Sequence, residues 1–140
     1  MPGKTSKYCG CLFFSASALA RNLTKVAEEE YKPTGLSPSH AFLLLTISDH
    51  QGVQPKELAE EMQLTPSTVT RLLDKLESKK LITREGSGKT VWVTATAKGL
   101  LLVPSIKEAW LRLFNRYSEV TGSRGPRLTQ WVYEAAQKLA

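Results

Sequence analysis

The chain has little of several things that would fix its chemistry. Its 140 residues include two cysteines and two histidines. The cysteines, Cys9 and Cys11, stand in a Tyr-Cys-Gly-Cys run. Two thiols make no disulfide framework, and these two are too close to meet the geometry of a bridge to each other. His40 and His50 have no cysteine or carboxylate pattern around them at metal-ligand spacing. Neither a Gly-x-Ser-x-Gly elbow nor a glycine-rich phosphate loop occurs, so the chain reads as no enzyme, with no catalytic residue and no required cofactor. Long apolar runs are missing too. Crossing a bilayer takes roughly 20 apolar residues, and the stretch from Cys11 to Ala20 is short and rich in Ala and Ser. No signal-peptide cleavage site stands out, and a cytoplasmic protein with no membrane partner is expected. Carboxylates are the last shortage: 13 Asp and Glu against 19 Lys and Arg give a net charge of +6. A basic balance points to an anionic partner, nucleic acid first, provided the cations lie where DNA would be met.

What is present is mostly helical periodicity. Leu12, Ala16, Leu19, Leu23, Val26 and Ala27 recur at three- and four-residue steps and predict an amphipathic helix over about residues 8–31. Lys32, Pro33 and Gly35 end it. Ser37-Pro38 opens a second helix, whose Ala-Phe-Leu-Leu-Leu-Thr-Ile run is apolar nearly all round and predicts burial. A short helix follows from Pro55 to Met62. After a tight connection at Gln63-Leu64, Thr65-Pro66 opens another, with Val69, Leu72, Leu73 and Leu76 on its buried side. The period then shifts to two. Leu81–Arg84 and Thr90–Ala95 read as strands about the glycine-rich turn 85–89, with Val91 and Val93 on one face and Trp92 on the other. Thr96 caps a long helix. Gly122–Pro126 breaks the chain before a last helix over 127–139.

Short helix, tight turn, polar-faced helix and hairpin in that order make a winged helix-turn-helix unit, in which the second helix leads into the major groove by its N-terminus. The expected recognition residues are Thr65, Pro66, Ser67, Thr68, Thr70, Arg71 and Lys75. The short hydroxyls can reach bases or phosphates, arginine can fork onto guanine, and the helix N-terminus favours phosphate. Arg84, Ser87 and Lys89 are the expected wing contacts. Taken singly, each feature has a plainer reading as a cap, a dipole complement or a turn.

The run PKELAEEMQLTPSTVTRLLDKLESKKLITRE resembles the helix-turn-helix core of the MarR family, and the later VTATAKG resembles the segment that opens the long helix after that family's wing. The resemblance implies a mainly α fold with a small β-hairpin wing. It implies a single domain over 1–140, with a winged unit at 37–95 and dimerisation helices at 8–32 and 97–139. It implies a homodimer on a roughly palindromic operator of double-stranded DNA, usually repressing nearby genes until a small-molecule inducer or thiol oxidation releases it. One feature departs from the family. Where its wing carries an Asp-x-Arg pair, this chain has Ser87 and Lys89, and lysine lacks arginine's planar fork. The rival reading is therefore a winged-helix protein-interaction module that has lost specific DNA binding.

Cys9 and Cys11, at the start of the first helix, have four readings: a reactive, redox-sensing thiol, soft-metal binding, an intersubunit disulfide, or two small, partly buried residues without special chemistry. For an effector pocket, Phe13, His40, Phe42 and Trp110 are the candidate liners, with plain core as the alternative.

Overall fold

The computed structural model describes residues 3–88 and 90–140. Among the described residues, six α-helices and one hairpin follow one another: α1 (Leu12–Tyr31), α2 (Pro38–Asp49), α3 (Pro55–Met62), α4 (Pro66–Ser78), β1 (Ile82–Ser87), β2 (Thr90–Ala95), α5 (Ala97–Thr121) and α6 (Gly125–Leu139). Short 3-10 turns sit at Lys32–Thr34 and Gly122–Arg124. The chain divides into two compact units. Residues 1–26 and 111–140 form a helical unit, and residues 27–110 form a winged unit.

Local chemistry sets the boundaries. Ser37 caps α2 by accepting from the His40 amide, and Thr65 caps α4 by accepting from the Thr68 amide; in each case proline takes the first helical position, where no amide is needed. Gln63, at φ 53°, turns the chain between α3 and α4, and the Leu64 amide returns to the Ala59 carbonyl at 3.0 Å. Thr96 caps α5: its hydroxyl donates to the Lys80 carbonyl at 2.7 Å and accepts from the Gly99 amide at 3.1 Å. Gly99 is needed there, because a Cβ would stand 2.2 Å from the Leu81 carbonyl oxygen. Within α5, Pro104 has no N–H to donate to the preceding turn.

Some boundaries differ from the sequence reading. The first helix begins at Leu12 rather than near Tyr8, because Tyr8–Gly10 fold into a turn in which the Cys11 amide bonds to the Tyr8 carbonyl. Strand β1 runs on to Ser87. The last helix starts at Gly125, so the expected break is a single short turn.

The core lies in the winged unit. Leu43, Leu44, Ile47, Leu58, Val69, Leu73, Leu76, Ile82 and Val93 are fully buried. Strands β1 and β2 pair antiparallel, from Ile82 with Ala95 to Ser87 with Thr90. Val53 adds a bridge to Val93, with Val93 N–H donating to the Val53 carbonyl at 2.8 Å. This stitches the base of the hairpin to the segment before α3.

Candidate nucleic-acid interface

Helix α4 divides by period. Val69, Leu73 and Leu76 are buried. Ser67, Thr70, Arg71, Asp74 and Lys75 are exposed and share one face through three- and four-residue spacing. Thr65 and Pro66 are exposed at its start, and Thr68 is half-buried. The structure thus places six of the seven expected recognition residues on α4 and the seventh, Thr65, at its N-cap.

Their hydroxyls are already ordered. Thr65 Oγ1 lies 3.2 Å from Ser67 Oγ and 2.9 Å from Thr68 Oγ1. Thr70 donates to the Pro66 carbonyl at 3.0 Å. Arg71 Nη2 stands 3.5 Å from Thr68 Oγ1, so the guanidinium lies back along the first turn. A side chain held in this way loses less freedom on meeting a base or phosphate.

The wing residues separate. Directly paired residues share a face of the hairpin, so Thr83, Glu85, Trp92 and Thr94 lie together on the outer face, where Thr83 and Thr94 hydrogen bond at 2.9 Å. Arg84 pairs with buried Val93 on the inner face. There it donates to Asp74 Oδ1 at 2.7 Å and to Glu77 Oε1 at 2.8 Å, both on α4. The sequence reading placed Arg84 at the DNA phosphates or the minor groove; in the structure it donates to these two carboxylates. The hydrogen bond from Arg84 is the largest cause holding the Glu77 carboxyl below its usual range, and the bond to Glu77 likewise raises the arginine. A second effect follows. Asp74 shares the exposed face of α4, where an unmatched carboxylate would repel phosphate, and Arg84 offsets that charge. Ser87 is exposed at the hairpin tip. Lys89 lies outside the described residues. Gly86, at φ 97°, is required in this turn, because a Cβ would meet the Thr90 carbonyl oxygen at 2.0 Å.

Lysines surround the entry of α2. Lys79 Nζ reaches the Gly35 carbonyl at 3.4 Å. His40 Nδ1 hydrogen bonds Ser37 Oγ. Burial first, then the charges of Lys75 and Lys79, hold the His40 imidazole below its usual pKa and so favour its neutral form.

Of the candidate effector liners, Phe42 and Trp110 meet edge to face, with ring centroids 6.1 Å apart. Tyr31 completes the cluster at 5.7 Å from Phe42. It is 0% exposed, and its hydroxyl has no hydrogen-bond partner among the described residues. Sequence reasoning missed Tyr31, because an aromatic at the end of an apolar stripe gives no sign of an orphaned hydroxyl. His40 lies one half-turn before Phe42 on α2. Phe13 belongs to the helical unit and is 81% exposed.

That unit has a groove of its own, about 680 Å³, lined by α1, α5 and α6 residues including Leu23, Val26, Val120, Leu128 and Val132. Cys9 and Cys11 are free and exposed. The Cys11 carbonyl accepts the Ser15 amide at 3.0 Å, so Cys11 stands at the N-cap of α1. Among the described residues no group of three or more His, Cys, Asp and Glu could hold a metal, and no helix is long and apolar enough to cross a membrane.

A capped, polar-faced helix set by a tight turn and followed by a stitched hairpin defines a winged helix-turn-helix protein. Residues 34–90 match the model of the MarR family, to which this segment is similar. A curated relative, the transcriptional repressor MdtR of Bacillus subtilis, is 33% identical over 75 residues, which are 54% of this chain and 48% of that protein. The chain therefore spans about half the length of this relative. Two solved structures share the fold over nearly the whole chain. CouR from Rhodococcus jostii RHA1, bound to p-coumaroyl-CoA, is 21% identical with a TM-score of 0.76, covering 96% of this chain and 95% of that one. The M. tuberculosis regulator MosR, in complex with DNA, is 24% identical with a TM-score of 0.76, covering 92% and 96%.

Proposed function

We propose that this protein is a sequence-specific DNA-binding transcriptional regulator, a repressor that grips a roughly palindromic operator as a homodimer. The observation that carries the reading is the exposed, pre-ordered face of α4. Ser67, Thr70 and Arg71 lead the helix, and Lys75 follows one turn behind for a phosphate. The names of the relatives point the same way: one is called a repressor, and MosR was solved with DNA.

The homodimer reading is supported by what the helical unit leaves uncovered. Among its described residues, Leu113 and Gly125 alone are buried. Val120 is 86% exposed, Trp131 62% and Leu139 82%. A fifteen-residue helix that buries one glycine has little packing to hold it, and short helices with little packing are marginal in water. A second copy related by a twofold axis is the economical cover. It would present two α4 helices about one DNA turn, roughly 34 Å, apart.

Release by a small ligand fits the Tyr31, Phe42 and Trp110 cluster, since a buried hydroxyl without a partner costs about 1–3 kcal/mol that a ligand acceptor would recover. His40 adds a polar group on the same helix. CouR, solved with p-coumaroyl-CoA, is a relative in fold that takes a small molecule. Exposed Cys9 and Cys11 leave thiol oxidation as a second route. The role is binding rather than catalysis, in the cytoplasm, with no required cofactor.

The rival reading, a winged unit serving a protein partner, is favoured by the wing, where Ser87 replaces the family aspartate and Arg84 is held by α4. Fluorescence anisotropy separates the two. DNA from upstream of the protein's own gene is compared with scrambled DNA at two salt concentrations. A regulator prefers the native DNA and loses affinity steeply with salt. Arg71→Ala then weakens specific binding by about 1–3 kcal/mol if the guanidinium reads a base. Equal, weak binding to both DNAs supports the protein-partner reading.

A further inference from the structure

The two units differ in charge in a way the total of +6 conceals. The helical unit holds nine Lys and Arg (Lys4, Lys7, Arg21, Lys25, Arg112, Arg116, Arg124, Arg127 and Lys138) against Glu119 and Glu134, a net of +7. The winged unit holds ten Lys and Arg against eleven Asp and Glu, a net of −1. Most of the surplus that the sequence suggests for DNA thus sits in the unit without the recognition helix, with Glu28, Glu29 and Glu30 continuing α1 just past its boundary. No carboxylate occurs before Glu28.

This matters for self-association. The helical unit has the uncovered apolar face, so the apolar drive to pair and the like-charge repulsion against pairing are located together. Burial of aliphatic groups depends little on dilute salt, whereas repulsion reaches about 30 Å at 10 mM salt and about 3 Å at 1 M. We propose that pairing through the helical unit is anion-dependent. Anions must accompany the second copy, so the dimer tightens as salt rises, while DNA binding by the winged unit weakens. Operator affinity then passes through a maximum at intermediate salt, because dilute salt splits the dimer and concentrated salt strips it from DNA. This inference rests on the reading of the helical unit as the homodimer interface.

The test is sedimentation of the full chain, without DNA, in NaCl from about 10 mM to about 0.5 M. The dimer dissociation constant is expected to fall by about ten-fold or more across that range, because screening removes most of the repulsion. Sodium sulfate at matched ionic strength should act more strongly than chloride, since a divalent anion pairs with two cations. A double variant, Lys25→Gln with Arg124→Gln, removes two exposed charges of the helical unit. It should pair more tightly than the parent at low salt and respond less to added salt. A dimer whose constant is flat or rises with salt overturns the inference and leaves the dimer reading standing. Equal salt responses in parent and variant also overturn it, because salt would then be acting on apolar surface alone. A monomer at every salt concentration overturns both.

Discussion

The winged unit and the helical unit are built to different rules. In the winged unit, α2 is buried on nearly every side, and α3, α4 and the hairpin close over Leu44, Leu58, Leu73 and Val93. In the helical unit, three amphipathic helices bury almost nothing. A sequence with apolar stripes of equal clarity in both regions has therefore produced one finished core and one waiting face. The lesson is that periodicity reports which side of a helix is apolar, and the environment that covers it is a separate question.

The largest way to break this comparison is to cut both faces alike. Leu73→Ala removes a fully buried side chain and should destabilise the winged unit by about 2–5 kcal/mol, as large-to-small core changes do. Leu128→Ala, on the half-exposed face of α6, should cost the dilute monomer well under about 1 kcal/mol, in the range of surface substitutions. Urea unfolding at low and high protein concentration checks this. If Leu128→Ala costs as much as Leu73→Ala in the monomer, the helical unit has a core of its own and the contrast fails. At high concentration the Leu128 variant should lose stability that the parent gains by association.

The fold was legible because each element carries its own punctuation. Ser37-Pro38 and Thr65-Pro66 each mark a helix start by cap chemistry, and Gly99 sits where α5 must pass the Leu81 carbonyl. The candidate site was legible in part. The exposed face of α4 follows from the three- and four-residue spacing of Ser67, Thr70, Arg71 and Lys75. Arg84 did not follow, because strand alternation had to be set by a register, and the register by pairing Arg84 with Val93. The charge split between units was invisible for a similar reason, since residues 1–26 and 111–140 are far apart in sequence.

Arg84 offers a medium-sized test. Its bonds to Asp74 and Glu77 are partly solvent-exposed, and such pairs contribute about 0.2–1 kcal/mol each. Arg84→Met should cost about 1 kcal/mol in stability, and DNA affinity should fall further than stability does, because Asp74 is left unmatched on the α4 face. Arg84→Met combined with Asp74→Asn should recover DNA affinity. Recovery identifies Arg84 as a residue that positions the wing and offsets a carboxylate. A double variant as weak as the single one returns Arg84 to direct phosphate contact.

The smallest expected effect is a pH dependence confined to the winged unit. His40 has a folded-state pKa below its usual 6.5, through burial and then the charges of Lys75 and Lys79. Between the two values the unfolded chain binds more protons than the folded one, so stability rises with pH. The contribution is full above 6.5 and is lost as pH falls below it. Thermal unfolding at mildly acid and neutral pH should show a modest drop on the acid side, and His40→Gln should flatten it. DNA adds a sharper reading of the same group. A phosphate beside Lys75 and Lys79 would offset the two charges that oppose protonation, so the bound complex should lose less on acidification than the free protein. Were acidification to weaken DNA binding through His40, these two lysines would not be the ones that meet the phosphates, and the interface would have to lie nearer the first turn of α4, around Ser67 and Arg71.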